Sequence, residues 1–257
     1  MQNILSKITN AKRSGLKLLK KRVPLKLLLA LLDSAPAPLS LADTLKRKGV
    51  SIIAEVKQAS PSKGLITKDF KPVETALAYE KYGASAVSVL TEEAFFLGNL
   101  GYLAAIKGKI RLPVLRKDFL VDEYQLYEAR AAGADAVLLI TACLSPSMLR
   151  AFLKTASRLG MDALVEVHTP SEARTALSCD ARLIGINNRN LRDFSVDLRT
   201  TSKIKELLPR EVLTVSESGI RTQNDIKYLN ELGVNGALIG EALMRSFDIG
   251  KTLGRLL

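Results

Sequence analysis

Residues 52–64 read Ile52-Ile53-Ala54-Glu55-Val56-Lys57-Gln58-Ala59-Ser60-Pro61-Ser62-Lys63-Gly64. An apolar run typical of a buried strand carries one acid and one base, and it then breaks into a loop of Ser, Pro, Lys and Gly. Side chains two positions apart in a strand point to the same face, so we expect Glu55 and Lys57 to lie side by side. They belong either to a reactive site or to a structural salt bridge inside a packed layer.

The same kind of apolar run recurs along the chain after residue 50. Successive runs start 20 to 35 residues apart, and the segments between them are charged and helix-periodic. The predicted strands cover residues 51–56, 86–90, 112–115, 136–140, 163–167, 183–186, 212–215 and 237–239. Eight strands that alternate with helices predict an α/β fold, a single (β/α)8 TIM barrel with an N-terminal helical extension.

Length and composition bound the domain organisation. With 257 residues, 47% of them hydrophobic, the chain can bury a large core. We predict a basic helical extension over residues 1–49 and a catalytic barrel over residues 50–257. The two cysteines, Cys143 and Cys179, show no disulfide pattern, which predicts a reducing, cytoplasmic compartment. The single histidine, His168, excludes the usual His-based zinc sites.

The positive charge is concentrated at the N-terminus. The formal net charge is +12, and residues 1–32 hold eight Lys or Arg and no acid. Such an arm could contact nucleic acid or an anionic membrane, but it offers no platform of aromatic residues for base stacking. We therefore expect no nucleic-acid and no membrane partner, and we favour attraction of an anionic small substrate. The apolar run over residues 25–32 is predicted to be an amphipathic helix packed on the barrel.

Polar residues stand at the end of nearly every predicted strand. The carboxyl ends of barrel strands carry the active site, so these residues are candidates for it. They include Glu55, Lys57, Glu92, Arg116, Lys117, Asp118, Thr141, Glu166, His168, Asn187, Arg189, Glu217 and Glu241. This is more polarity than barrel packing requires, and it predicts a reactive site at that rim.

Two glycine turns point to a phosphate group. Glu217-Ser218-Gly219-Ile220 and Gly240-Glu241-Ala242 follow the last two predicted strands. Barrels commonly bind phosphate at these strands, through backbone N–H groups and a helix N-terminus. Gly219 and Gly240 are expected to let the backbone approach the phosphate oxygens closely. The sequence therefore predicts a phosphorylated substrate.

Longer motifs carry a family resemblance. They are Ile53-Ala54-Glu55-Val56-Lys57-Gln58-Ala59-Ser60-Pro61-Ser62-Lys63-Gly64, Val89-Leu90-Thr91-Glu92, Pro113-Val114-Leu115-Arg116-Lys117-Asp118-Phe119, Ile184-Gly185-Ile186-Asn187-Asn188-Arg189-Asn190-Leu191 and Ser216-Glu217-Ser218-Gly219-Ile220. Together they closely resemble the indole-3-glycerol phosphate synthase family of tryptophan biosynthesis. The resemblance covers about residues 50–250 and is loose before them, where the family has helices that help cover the substrate pocket.

The resemblance implies a reaction and a substrate class. The reaction is ring closure of 1-(2-carboxyphenylamino)-1-deoxyribulose 5-phosphate, with loss of carbon dioxide and water. The partner is this anionic sugar phosphate, and contacts with other enzymes of the tryptophan pathway are possible. The iminium formed on ring closure serves as the electron sink for decarboxylation, so no metal and no organic cofactor is expected.

The resemblance also implies residue roles. Lys117 matches the general acid that protonates the ketone oxygen, and Glu166 matches the general base of the dehydration step. Glu55 and Lys57 match residues that orient this pair, with Lys57 also near the substrate carboxylate. Several cations in one dry pocket would favour the neutral form of a lysine, which predicts proton exchange near neutral pH.

The remaining expected contacts fall into two classes. The expected substrate-binding residues are Ser60, Phe96, Asn187, Arg189, Glu217 and Ser218, and the expected phosphate-binding residues are Gly219, Gly240 and Glu241. Glu241 stands where some family members have Ser, and Asn99 replaces an expected Ser. His168 is expected to be a bystander near the rim, and the loop over residues 58–68 is a candidate lid.

Two alternatives remain open from the sequence. A related phosphate-binding barrel such as phosphoribosylanthranilate isomerase would need a Cys/Asp acid–base pair at strand ends, and Cys143 and Cys179 are poorly placed for it. A non-enzymatic barrel would use its basic arm to bind nucleic acid. Deletion of residues 1–32 followed by a binding measurement separates that barrel from an enzyme.

Overall fold

Eight parallel strands close into a barrel in the computed structural model, which describes residues 4–32, 35–190 and 193–257. The predicted (β/α)8 TIM barrel is therefore confirmed. The barrel strands are β1 (Ser51–Val56), β4 (Ala86–Leu90), β5 (Val114–Lys117), β6 (Ala136–Ile140), β7 (Asp162–Val167), β8 (Leu183–Asn187), β9 (Leu213–Glu217) and β10 (Gly236–Ile239). A small hairpin, β2 (Ala59–Ser60) and β3 (Gly64–Leu65), follows the first strand.

The first strand closes the barrel because it pairs on both of its edges. Ile53 lies opposite Ala86 of β4, and Ala54 lies opposite Ile239 of β10, both in parallel register. Ile53 packs in the barrel interior, whereas Ala54 packs in the layer between barrel and helices. The period of two then directs Glu55 inward at the carboxyl end, where it is almost fully buried.

Helices surround the barrel, as the alternating pattern predicted. They are α1 (Ile4–Arg22), α2 (Leu25–Leu32), α3 (Leu41–Leu45), α4 (Pro72–Lys81), α5 (Glu93–Phe96), α6 (Leu100–Lys107), α7 (Tyr124–Ala131), α8 (Pro146–Arg158), α9 (Pro170–Ser178), α10 (Arg199–Lys205), α11 (Gln223–Glu231), α12 (Glu241–Met244) and α13 (Ile249–Gly254). Proline begins α4, α8 and α9, where its fixed φ suits the first helical turn and its missing N–H has no helical acceptor.

The segments before the first strand occupy both ends of the barrel. Leu41 and Leu45 of α3 are fully buried in the interior core, so this short helix fills the amino-terminal end. Helix α1 reaches the opposite end, where Ile4 and Ile8 line a pocket. The barrel core therefore uses residues that precede residue 50.

The predicted helix over residues 25–32 is present as α2, but it buries less of its apolar surface than we expected. Only Leu28 is buried, and it packs beside Tyr124 of α7. Leu25, Leu27 and Leu29 remain 41%, 51% and 45% exposed. The run is apolar on nearly all sides, and a single straight helix can bury only one of them against the barrel. None of the helices in the described ranges is both long enough and apolar enough to cross a membrane.

Candidate active site

One pocket at the carboxyl ends of the strands contains all thirteen residues that were expected to have a catalytic, substrate-binding or phosphate-binding role. They are Glu55, Lys57, Ser60, Phe96, Lys117, Glu166, Asn187, Arg189, Glu217, Ser218, Gly219, Gly240 and Glu241. Parallel strands that close into a barrel all end at one rim, which explains why residues distant in sequence meet here. Their individual roles remain predictions.

The central cation of the pocket is Lys117 at the end of β5. Its Nζ lies 3.0 Å from Oε2 of Glu217 and 3.4 Å from Oε2 of Glu166. Burial lowers the pKa of Lys117, but the surrounding carboxylates, led by Glu217, outweigh burial and raise the pKa above its usual value. The expected shift toward a neutral lysine is therefore wrong for Lys117, because the nearest charges are carboxylates and not other cations.

The two carboxylates that flank Lys117 differ in their affinity for protons. Burial raises the pKa of Glu217 to about 7, although Lys117 opposes the shift. Burial also raises the pKa of Glu166, but Lys117 and then His168 outweigh this effect and bring the pKa below its usual value. Glu166 thus keeps its charge, whereas Glu217 exchanges its proton near neutral pH.

The raised pKa of Glu217 predicts a pH-dependent contribution to stability. Its folded pKa lies above the unfolded value, so the folded chain keeps a proton that the unfolded chain loses between about pH 4.5 and about pH 7. The free energy of unfolding should fall across this window by roughly 3 kcal/mol more in the wild type than in Glu217→Gln, which lacks the titration. Urea unfolding at several pH values measures the difference. Parallel curves for the two proteins would contradict the assignment.

Glu55 and Lys57 form a direct ion pair at the start of the pocket. Burial raises the pKa of Glu55, but Lys57 and then Lys117 lower it by more. The net pKa is therefore below its usual value, and the carboxylate is charged. The salt bridge that the sequence allowed is present and lines the pocket, and a part for the pair in the reaction stays a prediction. A Cβ atom at Gly240 would collide with Glu55 and come within 3.0 Å of Nζ of Lys57. A side chain at Gly240 would thus displace this ion pair, a constraint that the sequence did not reveal.

The expected phosphate turn has an unusual backbone. Ser218 and Gly219 follow β9 with φ values of 69° and 85°, both in the left-handed region. A side chain at Gly219 would also collide with Val196. Gly240 precedes the first turn of α12. These two turns line one side of the pocket with backbone, and N–H groups so placed are suited to bind an anion.

Glu241, an expected phosphate-binding residue, has a side chain with cationic neighbours. Its Oε1 lies 3.7 Å from Nζ of Lys63 and 3.6 Å from Nε of Arg245. Arg221 also lines the pocket. These cations offset the charge of a carboxylate beside the expected phosphate turn.

Other expected substrate contacts line the walls of the pocket. Phe96 lies at the end of α5, with its ring centroid 6.1 Å from that of Phe119, and the two rings form an aromatic wall. The Asn187 side-chain oxygen accepts a hydrogen bond from the backbone N–H of Arg189 at 3.0 Å, which fixes the turn after β8. Ser60 lies in the β2–β3 hairpin, so the candidate lid over residues 58–68 contributes directly to the wall.

Not every polar residue at the strand ends faces the pocket. Arg116 is buried behind it, 2.7 Å from Glu128 and 3.2 Å from Asp118. Asp118 also pairs with Lys12 of α1 at 2.8 Å and accepts a hydrogen bond from Thr91 at 2.7 Å. This network ties the N-terminal helix to the strand that carries Lys117, and Arg116 serves structure.

Loss of one charge from this buried network should destabilise the fold. Asp118→Asn leaves Lys12 without its carboxylate and Arg116 with one partner fewer, and we expect a decrease in the free energy of unfolding of about 3 kcal/mol. Asp43→Asn breaks the exposed pair with Lys46 and should leave stability unchanged. Urea unfolding of both variants makes the comparison. Equal midpoints would show that the network does not stabilise the fold.

The structure corrects the expectation for His168. Its Nε2 lies 3.4 Å from Oε1 of Glu166, and only 11% of its side chain is exposed. The ring is therefore a direct neighbour of the expected general base and not a bystander at the rim. The only signal in the sequence was the spacing of two residues along β7, which places both side chains on one face.

The site consists of carboxylates that face ammonium groups. In the described part of the chain, no three or more His, Cys, Asp or Glu residues are grouped to hold a metal ion. The expectation of a reaction without metal or organic cofactor remains a prediction.

Comparison with protein families decides the assignment. The model of the family described as indole-3-glycerol phosphate synthase matches residues 5–256. The chain belongs to the indole-3-glycerol phosphate synthase family. As a member of the indole-3-glycerol phosphate synthase family, it is a decarboxylating lyase of tryptophan biosynthesis, as the sequence predicted.

Individual relatives match most or nearly all of the chain. The indole-3-glycerol phosphate synthase of Endomicrobium trichonymphae is 52% identical over 227 residues, which cover 88% of each chain. That of Dehalococcoides mccartyi is 50% identical over 258 residues, which cover 99% of this chain and 100% of the relative. A solved 3-hexulose-6-phosphate synthase is similar with a TM-score of 0.66, at 16% identity and over 80% of this chain and 98% of its own. That similarity shows the barrel fold alone.

Proposed function

We propose that this pocket closes the indole ring of 1-(2-carboxyphenylamino)-1-deoxyribulose 5-phosphate to give indole-3-glycerol phosphate, carbon dioxide and water. The observation that carries the residue assignments is the position of Lys117 between two buried carboxylates, in the pocket that also contains the phosphate-type turn. We assign catalysis to the barrel over residues 50–257 and treat residues 1–49 as its extension.

Lys117 serves as the acid of the first step. The ring carbon that bears the carboxylate attacks the ketone carbon, and the ketone oxygen takes a proton from the ammonium group. An alkoxide binds a proton more tightly than an amine, so even a lysine with a raised pKa transfers its proton to this oxygen. The nitrogen lone pair forms an iminium, and the electrons of the bond to carbon dioxide then restore the aromatic ring. Glu217, with a pKa of about 7, can return a proton to Lys117.

Glu166 serves as the base of the second step. It takes a proton from the carbon beside the nitrogen, while the new hydroxyl group takes a proton from Lys117, which Glu217 has re-protonated, and leaves as water. The lowered pKa of Glu166 means that its carboxylate is ready to accept a proton at neutral pH. The Glu166 side chain is only 4% exposed, so little water can solvate its carboxylate and weaken it as a base.

Two anionic groups of the substrate need separate binding sites. Backbone N–H groups at Ser218, Gly219 and Gly240 suit the phosphate. Lys57 and Arg189 supply cations for the carboxylate, and the Phe96 wall supports the aromatic ring. This arrangement fixes both ends of the substrate, so the reacting carbons lie over Lys117. We place the enzyme in the cytoplasm, with contacts to other enzymes of the pathway as a further possibility.

The structure gives less support to a nucleic-acid role for the basic arm. Two of its lysines are committed to the barrel, since Lys12 pairs with Asp118 and Lys20 lies 2.7 Å from Asp122. These two ion pairs attach helix α1 of the arm to the barrel beside the pocket. We propose neither nucleic-acid nor membrane binding.

The isomerase alternative also lacks support from the site. Cysteine is absent from the described residues that line the pocket. Burial raises the pKa of Cys143 to about 12, so its thiol is a poor proton carrier. Cys179 is buried at the end of α9, away from the strand ends.

An absorbance assay tests the proposed reaction. The substrate is added to the purified chain and the indole absorbance is followed, with product identity confirmed by mass. We expect stoichiometric release of carbon dioxide and indole-3-glycerol phosphate. Consumption of the substrate without an indole band would overturn the proposal.

A further inference from the structure

His168 is held between two carboxylates that belong to different elements. Its Nδ1 lies 3.3 Å from Oε2 of Glu172 on α9, and its Nε2 lies 3.4 Å from Oε1 of Glu166 on β7. The same oxygen of Glu172 also accepts the backbone N–H of His168 at 2.7 Å. Glu172 therefore fixes the ring, and the fixed ring presents Nε2 to Glu166.

The chemistry of the imidazole ring selects its charge state in this position. A neutral imidazole has one N–H, so it can face one carboxylate as a donor but must then face the other with a lone pair. The imidazolium avoids that lone pair: its Nδ1–H bonds Glu172, and its charged Nε2 lies 3.4 Å from Glu166 in ion-pair contact without a hydrogen bond. Burial lowers the pKa of His168, but Glu172 and Glu166 outweigh burial and raise it. Geometry and charge thus agree on a cation.

Other titratable groups lie close to His168 and Glu166 and affect their protonation. Glu217 also acts on His168 from β9, and Lys117 contacts both Glu166 and Glu217. The thiol of Cys143, in the turn after β6, lies near Glu166 and stays neutral because burial raises its pKa to about 12. Glu166 therefore has two cationic neighbours, whereas Glu217 shares one of them.

We propose that His168 is a positioning residue that keeps Glu166 ionised and aligned as the proton acceptor, so that Glu217 is the carboxyl that carries the exchangeable proton. The inference rests on the proposed role of Glu166. His168 makes two carboxylates beside one lysine differ in their affinity for protons. This difference assigns Glu166 to base catalysis and Glu217 to proton storage.

A direct test uses the fact that His168 is the only histidine of the chain. Chain labelled with 15N-histidine gives one pair of imidazole signals, whose shifts report protonation at each pH. We expect His168 to titrate above the usual histidine range, and to titrate at lower pH by about one unit in both Glu172→Gln and Glu166→Gln. An ordinary pKa that neither variant changes would overturn the inference. This measurement needs no substrate and no turnover.

A kinetic test examines the consequence for Glu166. His168→Gln removes the cation, so Glu166 should become protonated at higher pH, and the acidic limb of kcat/KM should move upward by about one pH unit. The loss should approach about tenfold in the acidic range where Glu166 becomes protonated, and it should disappear toward neutral pH. A uniform loss at every pH, with an unmoved limb, would mean that His168 only supports the fold. His168→Lys restores a cation and should move the limb back.

Glu166→Gln distinguishes failure of this inference from failure of the proposed function. If Glu166→Gln keeps its turnover, the role of Glu166 as base is wrong. If Glu166→Gln loses turnover and His168→Gln leaves the acidic limb in place, the base is correct and His168 does not act on it.

Discussion

Replacement of Lys117 by alanine lowers kcat by at least about 10²-fold while the chain keeps its fold. The Lys117 ammonium group lies within 3.4 Å of both Glu166 and Glu217, and its loss leaves the ketone oxygen without a proton donor during ring closure. The fold survives because Glu217, with its pKa already near 7, can take a proton when the cation is gone. Steady-state kinetics and a thermal unfolding curve measure the two effects.

Two further variants sharpen this result. Lys154→Ala removes an exposed lysine of α8, and its turnover should match the wild type. Lys117→Arg keeps the positive charge, but guanidinium does not release its proton, so turnover should remain low. Near-normal turnover in Lys117→Ala would remove the general-acid role, and full activity in Lys117→Arg would reduce that role to charge stabilisation.

Glu166→Gln should also lower kcat by at least about 10²-fold, with a change in KM of less than about threefold. Glutamine keeps the size of the side chain but cannot accept the proton that dehydration releases, so the chemical step suffers more than binding does. Initial rates over a range of substrate concentrations separate kcat from KM. The exposed Glu231 at the end of α11 provides the matched control, as Glu231→Gln should have wild-type kinetics.

A different kinetic pattern would change the assignment of Glu166. An increase in KM with unchanged kcat would show that Glu166 contributes equally to binding of the ground state and the transition state. It would then be a substrate-binding residue, and another group would have to serve as the base.

The barrel strands were predicted closely, and their errors have local causes. The run predicted over residues 112–115 forms the strand Val114–Lys117, because Pro113 has no N–H to donate to a ladder. The strand predicted to end at residue 215 continues to Glu217, since Asn187 pairs with Glu217 in register. Polar residues at the rim remain in the strands because their backbones are paired, and hydropathy alone does not detect this.

The extension before the barrel was the least predictable part. Leu41 and Leu45 are ordinary apolar residues in sequence, and nothing local indicates that they fill the amino-terminal end of the barrel. Lys12 belongs to a uniformly basic run, yet it pairs with a buried aspartate more than one hundred residues away. Such contacts depend on where separate elements meet, so no local pattern encodes them.

The family resemblance supplied the expected roles of thirteen residues, all of which line one pocket. The sequence by itself determined the barrel and the rim at which its polar side chains gather. It could do so because strand period and parallel closure place polar residues at strand ends together, whatever their exact distances. The tertiary structure alone decided the charges: a cationic Lys117, a protonatable Glu217 and a His168 that faces Glu166. The pKa of a buried group depends on which charges lie within a few ångströms of it, and those neighbours come from strands far apart in the chain.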